Sequence, residues 1–423
     1  FQVSYLLSMS NNFFFRLDWL SVLIYISLVS FGLLNIYSAT YEQSTSLLWD
    51  LSTVVGKQFW IFVGCLLIFP FILNIKSNFF EHLSFIFYIF SILSLLGLFV
   101  FGQKISGATS WYTIGGFSLQ PAEFVKITTS LIVADFLSGI QTDIRRTKYL
   151  FKVSLLILIP VILIVFQPDP GSALVFSGLF FVFIREGLDM RWLFIVLGLV
   201  IIFIATLLLK PLIVSLVALF IILIVFRLIK KSNTKLNPFL ITLGAVVFFT
   251  FSVDFIFNSI FEQRHRDRFN IILGLETDTK GIGYNINQSK IAIGSGGFLG
   301  KGYLNGTQTK GNFVPEQHTD YIFSTIGEEW GFLGSFSLIS LYTLLIFRIV
   351  YRAEKQNSTF RRVYSYAFAG MLFIHFFINI GMTLGLVPTV GIPLPYISYG
   401  GSNLMALSLM LFIYLNFDSQ RLS

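Results

Sequence analysis

Long apolar blocks recur along this chain, and they restrict its fold more than any other feature. They run for about 18 to 25 residues each, the length of helix that crosses a hydrocarbon core of about 30 Å. Of the 423 residues, 55% are hydrophobic and only 12% are charged, which is about half the charged share of a soluble domain. A large soluble all-α protein would show shorter, amphipathic stretches instead. The sequence therefore predicts a polytopic integral membrane protein.

The blocks predict the fold class as all-α, a transmembrane helical bundle of about twelve spans in a single integral membrane domain, residues 1–423. The break at Lys210–Pro211 fits either a tight hairpin between two spans or one kinked helix. The predicted spans lie near residues 18–39, 57–74, 83–101, 122–139, 149–166, 171–185, 192–209, 211–229, 237–257, 321–347, 363–386 and 400–417.

Basic residues are concentrated in alternate connections between these spans, which predicts the orientation of the chain. Cytoplasmic loops carry an excess of lysine and arginine, so both termini are predicted to be cytoplasmic. The opposite connections contain few cations, namely Lys57, Lys104 and Lys210. The basic loops contain Arg145, Arg146 and Lys148, then Arg227, Lys230, Lys231 and Lys235, then Arg348, Arg352, Lys355, Arg361 and Arg362.

One connection, residues 258–320, is far longer than the others, and it is polar and rich in glycine. The orientation makes it a large extracytoplasmic loop, and long loops are exempt from the charge rule. A connection of this length is usually functional or disordered. Within it, Gly281 to Ala292 could form an amphipathic helix at the membrane surface, which favours a functional loop.

Composition excludes several other functions. The net charge of +8 is spread over short loops and not along a groove, so no nucleic-acid partner is predicted. The single cysteine, Cys65, allows neither an intrachain disulfide nor a cysteine-based metal site, and the four histidines lack metal-ligand spacing. The run Gly294–Gly302 matches neither a P-loop nor a dinucleotide fingerprint, so nucleotide hydrolysis is not predicted.

Ionisable residues inside spans are costly and are therefore candidates for function. Glu123 and Lys126 begin the fourth span three residues apart, so they share one helical face and can pair. Asp169 lies in a turn at the outer end of the fifth span, and Arg185 with Glu186 ends the sixth. Two interpretations stay open. These residues form structural ion pairs, or the first three, which share the outer half of the membrane, line a wet cavity.

The segment Asn312–Phe323 contains the densest set of candidate catalytic residues. Asp320 ends the long outer loop, where a carboxylate faces both water and lipid headgroups. It is a candidate functional carboxylate, or it caps the helix that follows. His318 could form a proton relay with Asp320 or could orient the loop. Glu328 and Glu329 lie inside the next span, where two carboxylates need partners.

Proline and glycine interrupt the segment Val387–Ser402, which is predicted to form a re-entrant loop on the outer side. Non-helical backbone at membrane depth is tolerated only where it is buried in protein or lines a cavity. The Ser398 hydroxyl and the glycine backbone could therefore hydrogen-bond a sugar or a phosphate.

Together these motifs resemble the shape, elongation, division and sporulation family, which contains the RodA and FtsW proteins. The match runs over most of the chain in the expected order. Gln288–Gly297 and Gly306–Phe313 look more like elongation-type RodA members than division-type FtsW members. The motifs that carry the resemblance are Gln120-Pro-Ala-Glu123 with Lys126, Gln167-Pro-Asp169, Pro315-Glu316-Gln-His318-Thr-Asp320 and Pro393-Leu-Pro395-Tyr-Ile-Ser398-Tyr-Gly-Gly-Ser402.

The resemblance implies a peptidoglycan glycosyltransferase of the bacterial plasma membrane. It would polymerise lipid II on the outer face during cell elongation and cell-shape maintenance, with a class B penicillin-binding protein as transpeptidase partner. Asp320 stands at the family's catalytic aspartate. Substrate-binding roles are implied or predicted for Glu123, Lys126, Asp169, Trp111, Glu316, His318 and Ser398.

Three features depart from the family pattern. The family has about ten spans, so residues 186–236 are predicted to hold an inserted helical pair. Since the two inserted spans are apolar apart from Arg227, which belongs to the basic end of the second, the pair is predicted to lie away from the catalytic cavity. Ser110 replaces the arginine that usually precedes Trp111, and Pro170 follows Asp169 where an aliphatic residue is common.

The implied reaction transfers a glycan from a lipid pyrophosphate to an acceptor hydroxyl, which must lose its proton as it attacks. A carboxylate such as Asp320 suits that general base. Lys126, or a bound divalent cation such as Mg²⁺ or Mn²⁺, could offset the charge of the leaving pyrophosphate. The alternatives are a flippase that moves lipid II without chemistry, a scaffold for the transpeptidase, and a division-type polymerase.

Overall fold

The computed structural model describes residues 16–41, 49–105, 107–114, 117–139, 142–229, 237–261, 263–275 and 282–421. The chain divides into two compact units. One comprises Phe1–Leu188 and Asn285–Ser423, and the other comprises Asp189–Tyr284.

Helices occupy every region where the sequence predicts a span. The first unit contains α1 (Trp19–Ala39), α2 (Val54–Asn74), α3 (Ser77–Phe101), α4 (Pro121–Ser138), α5 (Thr147–Phe166), α6 (Pro170–Val175) and α7 (Phe180–Arg185), the last two joined by a 3-10 turn, Phe176–Leu179. The second unit contains α8 (Arg191–Leu208), α9 (Pro211–Ile229), α10 (Asn237–Phe255), a π-helical turn (Ile256–Ile260) and α11 (Gln263–Ile272). The remaining helices are α12 (Ile282–Ser295), α13 (Thr307–Lys310), α14 (Ile322–Ala353), α15 (Thr359–Thr383) and α16 (Gly401–Ser419).

Nine helices of the described chain are long and apolar enough to cross a membrane, judged by length and composition. The other predicted spans are the short α6–α7 segment, which is apolar, and α4 and α16. Most of the side chains of α4 and α16 are buried by neighbouring helices. Polar residues are tolerated in such helices because the surrounding protein supplies hydrogen-bond partners. The prediction of an all-α polytopic membrane protein is confirmed.

A small antiparallel sheet is the one element that the all-α prediction did not include. It contains β1 (Gln103–Ile105), β2 (Ala108–Ile114) and β3 (Phe117–Leu119) in the order β1-β2-β3. The central strand is rich in the β-branched and aromatic residues that favour strands. Trp111 lies on this strand, opposite Gln103, and its neighbour Ser110 is buried.

A break in α14 accounts for the glycine-rich run of the long loop. The break lies at Gly331, whose φ of 63° is unsuited to other residues, and the glycine run takes over the helical hydrogen bonds around it. The exchanged bonds run from Lys301 N to Glu328 O (3.0 Å), Gly302 N to Glu329 O (3.0 Å), Phe332 N to Gly297 O (2.9 Å) and Leu333 N to Phe298 O (3.1 Å). The run is therefore a structural insertion into the helix, which agrees with the absence of a nucleotide-binding motif.

The two carboxylates of α14 also hold the long loop in place. The Glu328 carboxylate accepts bonds from Lys301 Nζ (2.8 Å), from the backbone N–H groups of Gln308 and Thr309 (2.8 Å each) and from the Thr309 hydroxyl (2.8 Å). Glu329 accepts a bond of 2.5 Å from the Ser38 hydroxyl on α1. The Glu328 carboxylate thus has the partners that its burial requires, whereas Oε2 of Glu329 is buried without a hydrogen-bond partner in the described structure.

Ion pairs join helices of the first unit near the C-terminal end of α7. Arg185 pairs with Glu354 at 2.5 Å, and Arg362 pairs with Glu186 at 3.0 Å. These contacts tie α7 and the residue after it to α14 and α15. The structural interpretation of Arg185 and Glu186 is therefore confirmed.

Within the second unit, the Lys210–Pro211 break separates two helices. Leu209 ends α8 in an extended conformation, with φ of −116° and ψ of 136°, so the helix does not continue through it. Most side chains of α8 and α9 are exposed and apolar, as expected of helices that face lipid. That residues 186–236 are an insertion remote from the catalytic site stays a prediction.

Labelling of single cysteines should establish the orientation. We expect Lys310→Cys, an exposed position in the long loop, to react with a membrane-impermeant maleimide on intact cells. Lys355→Cys, an exposed position after α14, should react only after permeabilisation. The native Cys65 is buried and should contribute little background. Labelling of position 355 from outside, with protection of position 310, would contradict the predicted orientation.

Candidate active site

Asp320 lies in the turn that ends the long loop, and its side chain is half-buried. The helix that follows begins at Ile322, with Tyr321 at its N-cap position. The N-cap position is thus occupied by the neighbouring residue, and Asp320 lies directly before it at the N-terminal end of α14.

Hydrogen bonds from distant parts of the chain fix the backbone of this turn. Three consecutive carbonyls, those of residues 318–320, each accept a bond from a different donor in α15 or the loop after it. The bonds run from Tyr399 N to His318 O (2.9 Å), from Ser398 Oγ to Thr319 O (2.5 Å) and from Asn379 Nδ2 to Asp320 O (2.9 Å). A turn held at three successive residues keeps its side chains in place, as a catalytic group requires.

The predicted re-entrant loop between α15 and α16 packs directly against Asp320. A methyl group on Gly391, whose φ is +72°, would lie 3.4 Å from Asp320 Oδ2. Asn379 Nδ2 also donates to the carbonyl of Ile392 at 2.7 Å. Ser398 accepts a bond from Leu394 N at 2.8 Å, so its hydroxyl is engaged within the protein. The geometry gives Ser398 a positioning role.

Asp169 lies near the other side of the same loop. A methyl group on Gly171 would lie 2.4 Å from the Val390 carbonyl oxygen, next to the glycine that contacts Asp320. The Asp169 carboxylate caps α6 through Ser172 N at 3.1 Å. It also accepts bonds of 2.8 Å from the hydroxyl of Ser172 and from Gln120 Nε2. Residues 390–391 of this loop therefore lie between Asp169 and Asp320, two aspartates that the sequence predicts for the site.

Glu123 and Lys126 pair as their spacing predicts, with Nζ and Oε2 2.7 Å apart. Lys126 Nζ also lies 2.8 Å from His375 Nε2, and Glu123 Oε2 accepts a bond of 2.9 Å from Asn403 Nδ2. Lys126 has no exposed surface. Its ammonium is therefore paired inside the protein with Glu123 and His375, and its contact with a substrate stays a prediction.

The first turns of α4 and α16 connect this buried cluster to Asp169. Gln120 and Glu123 lie on one face of α4. The backbone N–H of Gln120 donates to Ser402 Oγ at 3.0 Å, and Glu123 bonds the next residue, Asn403. The predicted residues therefore belong to one continuous polar zone, although Lys126 is at its closed end.

Glu316 and His318 line a cleft of about 540 Å³ between the C-terminal end of α1, the N-terminal end of α2 and residues 309–318. Glu316 has a left-handed backbone (φ 55°) and accepts a bond from Thr319 Oγ1 at 3.0 Å. The His318 ring lies 5.9 Å from that of Tyr399. Burial lowers the pKa of the His318 imidazole, while the nearby Glu316 carboxylate opposes this. Both roles predicted for His318, a proton relay and orientation of the loop, stay predictions.

The structure does not bring every predicted residue together. Among the described hydrogen bonds and ring contacts, none links Trp111 on β2 to the surroundings of Asp320. No three His, Cys, Asp or Glu side chains of the described chain converge as a metal-binding group. Sequence reasoning missed Gln120, His375, Asn379 and Asn403, which complete the polar zone. Their signal was a polar side chain within an apolar helix.

Comparison with known sequences gives consistent matches over nearly the whole chain. The family model for FtsW, RodA and SpoVE, described as cell cycle protein, matches residues 18–212 and 184–422. Peptidoglycan glycosyltransferase MrdB of Escherichia coli K12 is 33% identical over 396 residues, covering 93% of this chain and 90% of that protein. Peptidoglycan glycosyltransferase RodA of Treponema pallidum is 32% identical over 413 residues, covering 92% of this chain and 94% of that protein. A probable FtsW of Trichlorobacter lovleyi is 30% identical, covering 95% and 93%.

Solved structures of peptidoglycan synthesis proteins also align with nearly the whole chain. A chain from a peptidoglycan synthase complex aligns with a TM-score of 0.70 and 26% identity, over 96% of this chain and 99% of that chain. The crystal structure of Thermus thermophilus rod shape determining protein RodA aligns with a TM-score of 0.62 and 25% identity, over 96% and 98%. Since the family model and relatives of more than 30% identity cover almost all of it, this chain belongs to the FtsW/RodA/SpoVE family.

Proposed function

We propose that this protein is a peptidoglycan glycosyltransferase that polymerises lipid II into glycan strands, and that it serves cell elongation and cell shape. Its relatives named MrdB and RodA are peptidoglycan glycosyltransferases, which supports the reaction class. The observation that carries the proposal is the position of Asp320. Its carboxylate stands at the outer end of α14, on a turn held by bonds to three successive carbonyls.

In the proposed reaction, the acceptor sugar's 4-hydroxyl oxygen attacks the anomeric carbon of a lipid-linked donor. A new C–O bond forms as the bond from that carbon to the pyrophosphate oxygen breaks, with inversion at the carbon. Asp320 accepts the proton of the attacking hydroxyl. The fixed turn supports this step because a general base must stay within hydrogen-bond reach of the proton it removes.

The leaving lipid pyrophosphate carries negative charge, which a cation would offset. Lys126 could do so only if the buried cluster opened, because Glu123 and His375 occupy its ammonium. Since no three ligand side chains converge in the described chain, a Mg²⁺ or Mn²⁺ ion would be held largely by phosphate oxygens. Magnesium is commonly bound in this way, by few carboxylates together with substrate phosphates.

We place the protein in the bacterial plasma membrane with both termini cytoplasmic, and we propose a class B penicillin-binding protein as its transpeptidase partner. The basic loops support the orientation. The similarity to a chain of a synthase complex that coordinates polymerization and crosslinking supports the partner. Motifs of the long loop support the elongation type, which predicts that the gene restores rod shape, and not division, to cells depleted of the corresponding polymerase.

Purified protein incubated with lipid II provides the direct test. We expect glycan strands, seen as a ladder on a gel. The flippase alternative predicts no strands and instead movement of lipid II between the leaflets of vesicles. Transport without polymerisation, with and without the transpeptidase, would replace our proposal by that alternative.

A further inference from the structure

We infer that Asn379 is the positioning residue of this site, holding Asp320 where it meets the acceptor hydroxyl. The inference rests on the proposed function, because it assigns Asn379 no chemistry of its own. Asn379 lies on α15, 59 residues from Asp320 in the chain. It acts through Asp320, and the described contacts give it no route to the reacting atoms other than that residue and the loop beside it.

The amide group of Asn379 bonds the two backbone segments that lie on either side of the Asp320 carboxylate. Asn379 Nδ2 donates to the carbonyl of Asp320 at 2.9 Å and to that of Ile392 at 2.7 Å. The first bond fixes the backbone that bears the carboxylate. The second bond fixes the segment of the loop between α15 and α16 in which Gly391 lies against Asp320 Oδ2. Ser398 and Tyr399 bond the two preceding carbonyls, and Asn379 is the side chain that joins the backbone of Asp320 itself to the segment next to Gly391.

The chemistry of the amide determines its orientation. Both partners are carbonyl oxygens, which only accept hydrogen bonds, so the NH₂ group must face them. The opposite atom, Oδ1, is buried and has no hydrogen-bond donor in the described structure. A buried unsatisfied acceptor costs about 1–3 kcal/mol, which a leucine of similar size would avoid. Packing alone therefore does not account for an asparagine at this position, whereas the bond to two carbonyls does.

The same face of α15 extends to the second polar cluster. His375 lies four residues before Asn379, one helical turn away, and bonds Lys126. Asn379 thus stands between the closed cluster and the catalytic turn, with its NH₂ group directed at the turn. A shift of about 1 Å in a catalytic group can cost about 10²-fold in rate. We therefore expect loss of the two Asn379 hydrogen bonds to lower turnover more than substrate affinity.

The test compares Asn379→Leu with a matched control, Asn416→Leu. Asn416 is also fully buried, and its Nδ2 bonds three backbone carbonyls, those of Ile72 (2.9 Å), Leu73 (3.0 Å) and Ile75 (2.7 Å). These lie at the C-terminal end of α2, away from the catalytic turn. We expect both variants to lose thermal stability, and Asn416→Leu to lose at least as much, because the Asn416 amide makes more hydrogen bonds. Only Asn379→Leu should lower kcat for lipid II polymerisation, by about 10- to 100-fold, with KM nearly unchanged.

If Asn379→Leu does not fold, Asn379→Ser supplies the measurement. Serine keeps one donor. The kcat of Asn379→Ser should therefore fall between that of the native protein and that of a protein without either Asn379 bond. A native kcat in Asn379→Leu or Asn379→Ser, or a loss no larger than that of Asn416→Leu, would overturn the inference. The native protein and Asp320→Asn are assayed in parallel. A native protein that makes no glycan strands refutes the proposed function, and an active Asp320→Asn removes the base that Asn379 is inferred to position. An inactive Asp320→Asn beside a normal Asn379→Leu refutes the positioning role alone.

Discussion

Asp320→Asn should abolish lipid II polymerisation while leaving the protein folded. Asparagine has nearly the same shape, so the packing against Gly391 and the bond from Asn379 to the residue's carbonyl should survive. The amide cannot accept the acceptor's proton, and loss of a general base typically costs about 10²–10⁴-fold in rate. Glycan synthesis by purified protein, measured beside its thermal unfolding in detergent, checks both parts of this expectation.

Asp50→Asn is a matched control for this experiment. Like Asp320, Asp50 is an aspartate just before a helix, and the predicted orientation places it on the outer side of the membrane. Its carboxylate accepts a bond of 2.9 Å from the backbone N–H of Ser52. Because asparagine serves such local bonds almost as well, this variant should stay active. Polymerisation near the native rate by Asp320→Asn would show that Asp320 is not the base.

Lys126→Met should strongly destabilise the protein. The substitution leaves the Glu123 carboxylate buried without its cation, and breaking a buried pair in this way costs about 3–5 kcal/mol. The midpoint of thermal unfolding in detergent should fall clearly. The double variant Glu123→Gln with Lys126→Met removes both charges and should recover most of the loss, because glutamine can still accept the bond from Asn403.

The double variant also separates two roles for Lys126. If the lysine only holds helices together, the restored protein should polymerise lipid II. If its ammonium reaches the pyrophosphate when the cluster opens, the restored protein should stay inactive although it is folded. A single Lys126→Met variant as stable as the native protein would contradict the buried pair itself.

The features that the sequence predicted correctly depend on local physics. In a bilayer, each spanning segment must satisfy its own backbone hydrogen bonds, so an apolar block of sufficient length becomes a helix whatever surrounds it. The Glu123–Lys126 pair follows from a spacing of three residues on one helix. The partners of Glu328 and Glu329 were expected for the same kind of reason, since a buried charge must be compensated.

Tertiary structure alone decided the features that join distant segments. Gly331 breaks α14 because a glycine run about thirty residues earlier supplies the missing hydrogen bonds. Lys126 has the charge expected of a phosphate contact, yet the packing of α4 against α15 and α16 buries it completely. The turn at residues 318–320 is fixed by Asn379 and Ser398, 59 and 79 residues from the carbonyls they bond. Sequence spacing carries no information about such contacts, because they exist only after the helices have packed.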